Sequence, residues 1–280
     1  MMDNINPPAV STEIPITLKI PFLSLRKVGL FSDNVFKRWF PITMCVLVTS
    51  YLMTISMAQF IKIEKDIFEI VRNLEPIFAF SQITGKMCVA TYRITDFVRL
   101  REMMKLFWSP SLCNERTRAK LNSAYFVTFH LQRLFLLLYL IASCLMILSP
   151  LLAEGPPTGI WTLEGHEMLY QLMVVGQVVA IPCTGLFTSC FDFIYLGFCA
   201  EIAIQFQILC EYLKELSAEG NTVKELEIDY LNKIKSCIRQ HQMLLRFVKE
   251  FRAAFSLILL IEYITIGPLI CVELFAAFER

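Results

Sequence analysis

Residues 237–251 read CIRQHQMLLRFVKEF and run without a break into residues 252–278, RAAFSLILLIEYITIGPLICVELFAAF. In the first half Ile238, His241, Leu244, Leu245, Val248 and Phe251 recur every three or four residues, with Arg239, Gln240, Arg246 and Lys249 between them. An α-helix turns every 3.6 residues, so this spacing collects the apolar side chains on one face and leaves the other in water. From Ala253 to Phe278 the only charged residues are Glu262 and Glu273. About 20 apolar residues cross a hydrocarbon core of roughly 30 Å. The stretch therefore predicts a charged helical stem that feeds a membrane span.

Composition agrees. Apolar residues make up 56% of the 280, with a mean hydropathy of +0.56, against the roughly 45–50% apolar usage of soluble domains. The N-terminus, MMDNINPPAV, places acid and prolines ahead of any apolar run, so no cleavable signal peptide is expected. Ten cysteines are present without a CxxC pair and none falls in a segment expected outside. They read as small hydrophobes on helices, with Cys113, Cys210 and Cys237 in reducing cytosol.

Pro7, Pro8, Pro15 and Pro21 interrupt residues 1–39, a cytosolic lead-in with a short surface helix expected near residues 23–30. The first span is expected at residues 40–61, without internal charge. The second falls at residues 74–92, with Pro76 in its first turn and Lys86 snorkelling to the headgroups near its far end. The periodic VRLREMMKLF suggests a membrane-flanking helix within residues 93–124. Residues 125–153 form a third span, with His130 and Arg133 at the interface. The loop EGPPTGIWTLEGH follows, with Trp161 as an interfacial anchor. The fourth apolar run, residues 167–199, is too long for a bilayer and continues as AEIAIQFQILCEYLKEL, with Ile202, Phe206, Leu209 and Leu213 on one face. A break at residues 218–221 precedes Thr222 and Glu225, a capping box for the stem.

Lysine and arginine alternate between segments. Five precede the first span, three lie between the first and second, seven fall in residues 93–124, none follow the third, and eight lie in residues 200–252. Alternate segments thus hold twenty against three. By the positive-inside rule the N-terminus, residues 93–124 and residues 200–252 are cytosolic. The expected fold is all-α and polytopic. It comprises a cytosolic segment 1–39, four spans in 40–199, a cytosolic helical stem 200–252 and a fifth span 253–280, with the extensions of the fourth and fifth helices packed antiparallel. This orientation opposes that of G-protein-coupled receptors.

The same closing stretch resembles the fifth span of insect odorant receptors. Ile238, His241, Leu244, Leu245, Phe247, Phe255, Ser256, Leu259, Leu260, Cys271 and Phe275 fall in step with that family's signature, and Gln205, Phe206, Leu209, Leu213 and Leu216 match its pattern after the fourth span. Glu262 and Tyr263 stand where the family usually has Gln and Phe, and Ile266 and Gly267 where small hydroxyl residues are usual. The resemblance implies an odorant receptor subunit of a cation channel in the plasma membrane of sensory neurons. Its partners would be a common co-receptor, the bilayer and a small volatile ligand, with no nucleic acid and no cofactor. It also implies seven spans, so two would be missing here. The expectation is a truncated isoform, incomplete gene model or degenerate copy whose 280 residues give no odorant-specific current alone, because the family's pore helix is the seventh. A gustatory-type chemoreceptor and a transporter are the alternatives.

No glycine-rich phosphate loop, GxSxG or HExxH occurs, and His130, His166 and His241 are dispersed, so neither catalysis nor a metal site is indicated. His241 reads as a packing residue. An acid deep in a span costs about 2.5–3.5 kcal/mol on insertion scales and faces protein or water. For Glu262 a hydrogen bond between helices is a sufficient reason; Asp192 reads as solvated or paired. The family holds its ligand in the outer halves of its second, third, fourth and sixth spans. That implies Ile77, Phe78 and Ser81, then Tyr139, Ser143 and Met146, then Leu172, Met173 and Gly176, an apolar lining with a few polar handles.

Overall fold

Two asparagines start two of the long helices. Asn34 Oδ1 accepts the Phe36 N–H at 3.0 Å and Asn114 Oδ1 accepts the Thr117 N–H at 2.9 Å, satisfying donors that a first helical turn leaves without a partner. A computed structural model describes residues 15–27, 34–62, 67–152, 167–219 and 227–278. In chain order the helices are α1 (Ile16–Lys27), α2 (Val35–Lys62), α3 (Ile67–Tyr92), α4 (Ile94–Met104), a 3-10 turn (Pro110–Leu112), α5 (Glu115–Leu152), α6 (Glu167–Glu219) and α7 (Glu227–Phe278). Among the described residues there is no strand. The loop containing Trp161 and His166, and the capping box of Thr222 and Glu225, lie outside them.

Length and composition single out Glu115–Leu145, Val174–Ser217 and Tyr230–Cys271 as able to cross a membrane, with a shorter apolar run at Ile42–Met57. On α5, Leu134, Phe135, Leu137, Leu138, Leu140 and Ile141 are all exposed; an apolar surface on every side of a helix suits lipid rather than water. The chain is an all-α polytopic membrane protein. The second expected span carries Glu75 and Lys86, and α3 adds Glu69 and Arg72 ahead of it. Two boundaries move. α3 starts at Ile67, so Pro76 sits inside the helix rather than in its first turn, and Pro21 lies inside α1 rather than ending it. An interior proline removes a single backbone hydrogen bond, a cost that packing of the remaining turns can offset.

The described chain divides into two compact units. The first comprises Met1–Phe22, Arg93–Gln132 and Phe193–Phe255. Its core is aromatic: Phe198 is 0% exposed, and its ring centroid lies 6.3 Å from that of Phe22, 5.8 Å from Phe247, 5.9 Å from Phe251 and 6.2 Å from Phe255. Pairing Tyr195 with Phe255, Phe198 with Phe247 and Phe206 with His241 runs α6 and α7 antiparallel. The buried face of α7 here is Cys237, Gln240, Leu244 and Phe247, whereas Ile238, His241 and Leu245 are exposed. On α6 it is Glu201, Ile204, Gln205, Ile208 and Leu209, with Leu213 exposed. Both faces are rotated by about one residue from the predicted stripes. The reason is that polar residues occupy the seam: Gln205 Oε1 accepts the Trp108 N–H at 2.9 Å, its Nε2 donates to the Trp108 carbonyl at 2.9 Å, and Gln240 Nε2 donates to Gln205 Oε1 at 3.3 Å. These bonds satisfy buried amides, which makes the seam tolerable.

Gly197 fixes how α1 packs in this unit. A Cβ there would come within 2.5 Å of Leu18 Cδ2 and 3.2 Å of the Thr17 carbonyl oxygen, and Leu18 is fully buried. Gly197→Leu should therefore displace α1, at an expected cost of about 1–3 kcal/mol. Limited proteolysis at Lys19, Arg26 and Lys27 reads this out: cleavage should accelerate severalfold, and an unchanged rate would show that α1 does not rest on Gly197.

The second unit comprises Leu23–Tyr92, Arg133–Asp192 and Ser256–Arg280. α2 and α3 meet through Leu52 and Phe80, packed with Val48, Ile55, Ile83 and Ile181, and through the Thr84 hydroxyl donating to Thr49 Oγ1 at 2.9 Å. All ten cysteines are free thiols. Several, including Cys88, Cys144 and Cys183, lie on exposed helix faces rather than in a core.

Candidate functional site

Lys86 joins three helices of the second unit. Its Nζ is 2.9 Å from Asp192 Oδ1 on α6 and 2.9 Å from Glu262 Oε1 on α7, and its side chain is 3% exposed. The predicted snorkelling to the headgroups is thus corrected: two carboxylates supply the polar surroundings that a lone lysine would seek at the interface. Gly85 assists. A Cβ at Gly85 would sit 3.0 Å from Ile261 Cγ2, so its absence lets α7 approach beside Glu262. Asp192 is paired, and Glu262 makes a charged contact between helices. One cation against two anions leaves the cluster acidic on balance. It rigidly ties α3, α6 and α7, and breaking it would strand charge in an apolar setting.

The predicted ligand residues fall in the same unit, and the structure meets them unevenly. On α3, Ile77 is buried, while Phe78 and Ser81 are half-buried; the Ser81 hydroxyl donates to the Phe78 carbonyl at 2.9 Å, so it is satisfied within its own helix. On α5, Ser143 is buried and Tyr139 half-buried. The Tyr139 hydroxyl donates to the Pro182 carbonyl of α6 at 2.6 Å. Gly185 leaves room for that ring: a Cβ there would fall 2.7 Å from Tyr139 Cε2. Ile181, next to Pro182, also packs on the Leu52–Phe80 cluster. The Ile181–Pro182 turn is therefore where α2, α3 and α5 converge on α6. Gly176 is exposed, with nothing within 4 Å of an added Cβ. The side chains of Met146, Leu172 and Met173 lie outside the described residues.

The family-motif positions divide by role. Phe255 is 1% exposed and packs edge-on against Phe97 at 5.1 Å. His241 is exposed, with its ring 6.1 Å from that of Phe206, a packing contact. Ser256, Cys271 and Phe275 are exposed. Sequence reasoning weighed Lys86, Asp192 and Glu262 one at a time. The signal that could have joined them was the presence of one cation and two anions, each stranded in an apolar helix and each needing a partner.

No curated protein matches the chain. A family model described as 7tm Odorant receptor matches residues 66–279, which takes in the ion-paired cluster, the α6–α7 pair and every motif position quoted above. A match over that much of the chain, on an all-α membrane fold, settles its kinship: the protein belongs to the 7tm odorant receptor family.

Proposed function

We propose that the chain acts as an odorant receptor subunit, part of an odorant-gated cation channel formed with a common co-receptor in the plasma membrane of sensory neurons. The observation that carries this is the family match across residues 66–279. The lysine and arginine alternation supports a cytosolic N-terminus and a cytosolic stem at 200–252. The ligand is a small, volatile, mostly apolar organic molecule. Ile77 and Phe78 of α3 and Ser143 of α5 supply apolar contact and one polar handle, and Tyr139 positions α5 against α6 through its bond to Pro182.

A chimera tests this. Residues 1–280 are joined to the sixth and seventh spans of another family member and expressed in oocytes with a co-receptor. A dose-dependent odorant current is expected, and Phe78→Ala should shift its half-maximal concentration about tenfold, the value of roughly 1–2 kcal/mol of lost apolar contact. Currents that appear but are indifferent to Phe78, Ser143 and Tyr139 would place the ligand elsewhere.

A further inference from the structure

Glu201 of α6 is a buried carboxyl that no cation pairs with among the described residues. It is 1% exposed, and its partners are the hydroxyls of Thr17, donating to Oε1 at 2.9 Å, and Tyr125, donating to Oε2 at 3.1 Å. Both donors are neutral. A carboxylate offers about four lone-pair positions, so two hydroxyls neither fill it nor balance its charge, and an unbalanced buried charge is costly.

Glu201 also stands in the wall of a cavity of about 490 Å³ in the first unit. That volume lies within the roughly 300–1,000 Å³ range of small-molecule sites. Phe107, Trp108, Tyr125, Phe126 and Phe129 give the wall five aromatic rings, and among the described residues no lysine or arginine lines it. Among the described wall residues His130 alone can carry positive charge, and its ring packs on Phe126 at 3.9 Å. Gln205, a second buried polar group of the wall, has both ends of its amide committed to Trp108, and Asn122 is exposed. What this wall offers an incoming molecule is therefore ring faces, which attract cations, and a carboxyl that burial pushes up to about 7, whose ionised form an incoming ammonium would favour.

The geometry points to a second ligand site in the first unit, apart from the odorant residues, that takes a small amphiphilic amine with its ammonium held by the Glu201 charge and the aromatic rings. The alkyl body fills the apolar remainder of the cavity beside Phe107 and Phe129. This inference stands independently of the odorant reading, since it uses none of the residues assigned there.

The test uses the purified 280-residue chain in mild detergent, with Trp39→Phe and Trp161→Phe so that Trp108, in the cavity wall, alone reports by fluorescence. Hexylamine and 1-hexanol are titrated at pH 7.5. Hexylamine should bind saturably and at least tenfold more tightly than hexanol. Glu201→Gln, which keeps the shape and most hydrogen bonding, should remove that preference while leaving hexanol binding unchanged. As a second variant, Phe129→Lys places an ammonium at a half-buried wall position; it should abolish hexylamine binding with the fold intact. Equal binding of amine and alcohol, no saturable change at Trp108, or unchanged hexylamine binding in both variants would overturn the assignment.

Discussion

Lys86→Met should destabilise the second unit by about 3 kcal/mol or more, among the largest effects of any single substitution in that unit. Methionine fills nearly the same space, so the loss is not one of packing. It comes from leaving Asp192 and Glu262, each 2.9 Å from the missing ammonium, with no cation between them. The decisive comparison is with the triple variant Lys86→Met, Asp192→Asn, Glu262→Gln. Removing the whole cluster should recover most of the stability, because a paired set of charges contributes little net and only the stranded charge is costly. Detergent-solubilised protein unfolded by added SDS and followed by circular dichroism measures both. A single variant no less stable than the triple would mean the cluster is solvated and structurally idle.

Phe198→Ala should cost about 3–5 kcal/mol. The ring is fully buried, and four other aromatic rings meet it within 6.3 Å. Alanine would open a void between helices that are held by long rigid turns and so cannot collapse to fill it. Phe126→Ala is the control: the same chemical change at a residue 63% exposed should move stability by no more than about 0.5 kcal/mol. Thermal unfolding of both variants in the same detergent separates core packing from a general sensitivity to losing a ring. Equal shifts would contradict the aromatic core.

Much of the fold was legible because hydropathy and period are local properties. The long uncharged runs in α2 and α5, the continuation of α6 past the length a bilayer needs, and the amphipathic first half of α7 are each visible within a few turns of sequence. What was not legible depends on residues far apart. Lys86 finds Asp192 106 positions away and Glu262 176 positions away, and no window of sequence contains both ends. The one-residue rotation of the α6–α7 seam has the same origin: Gln240 falls among the polar residues of the predicted stem, yet the buried Trp108 backbone draws Gln205 in and Gln240 follows. Tyr139 is a further case: its hydroxyl bonds the Pro182 carbonyl 43 positions away, a contact that no local pattern announces. The start of α3 was missed because Glu69, Arg72 and Glu75 hide its first turns from any hydropathy measure, although charges near a helix start are ordinary.

The membrane arrangement is open to a direct measurement. Sealed right-side-out vesicles carrying the chain are treated with trypsin, and the fragments are mapped before and after permeabilisation. With residues 93–124 and 200–252 in the cytosol, Arg116, Lys120, Lys235 and Arg239 should resist cleavage in sealed vesicles and be cut once detergent is added. Cleavage at any of these positions while the vesicles remain sealed would contradict the topology, and with it the reading of α6 and α7 as helices that leave the membrane into the cell.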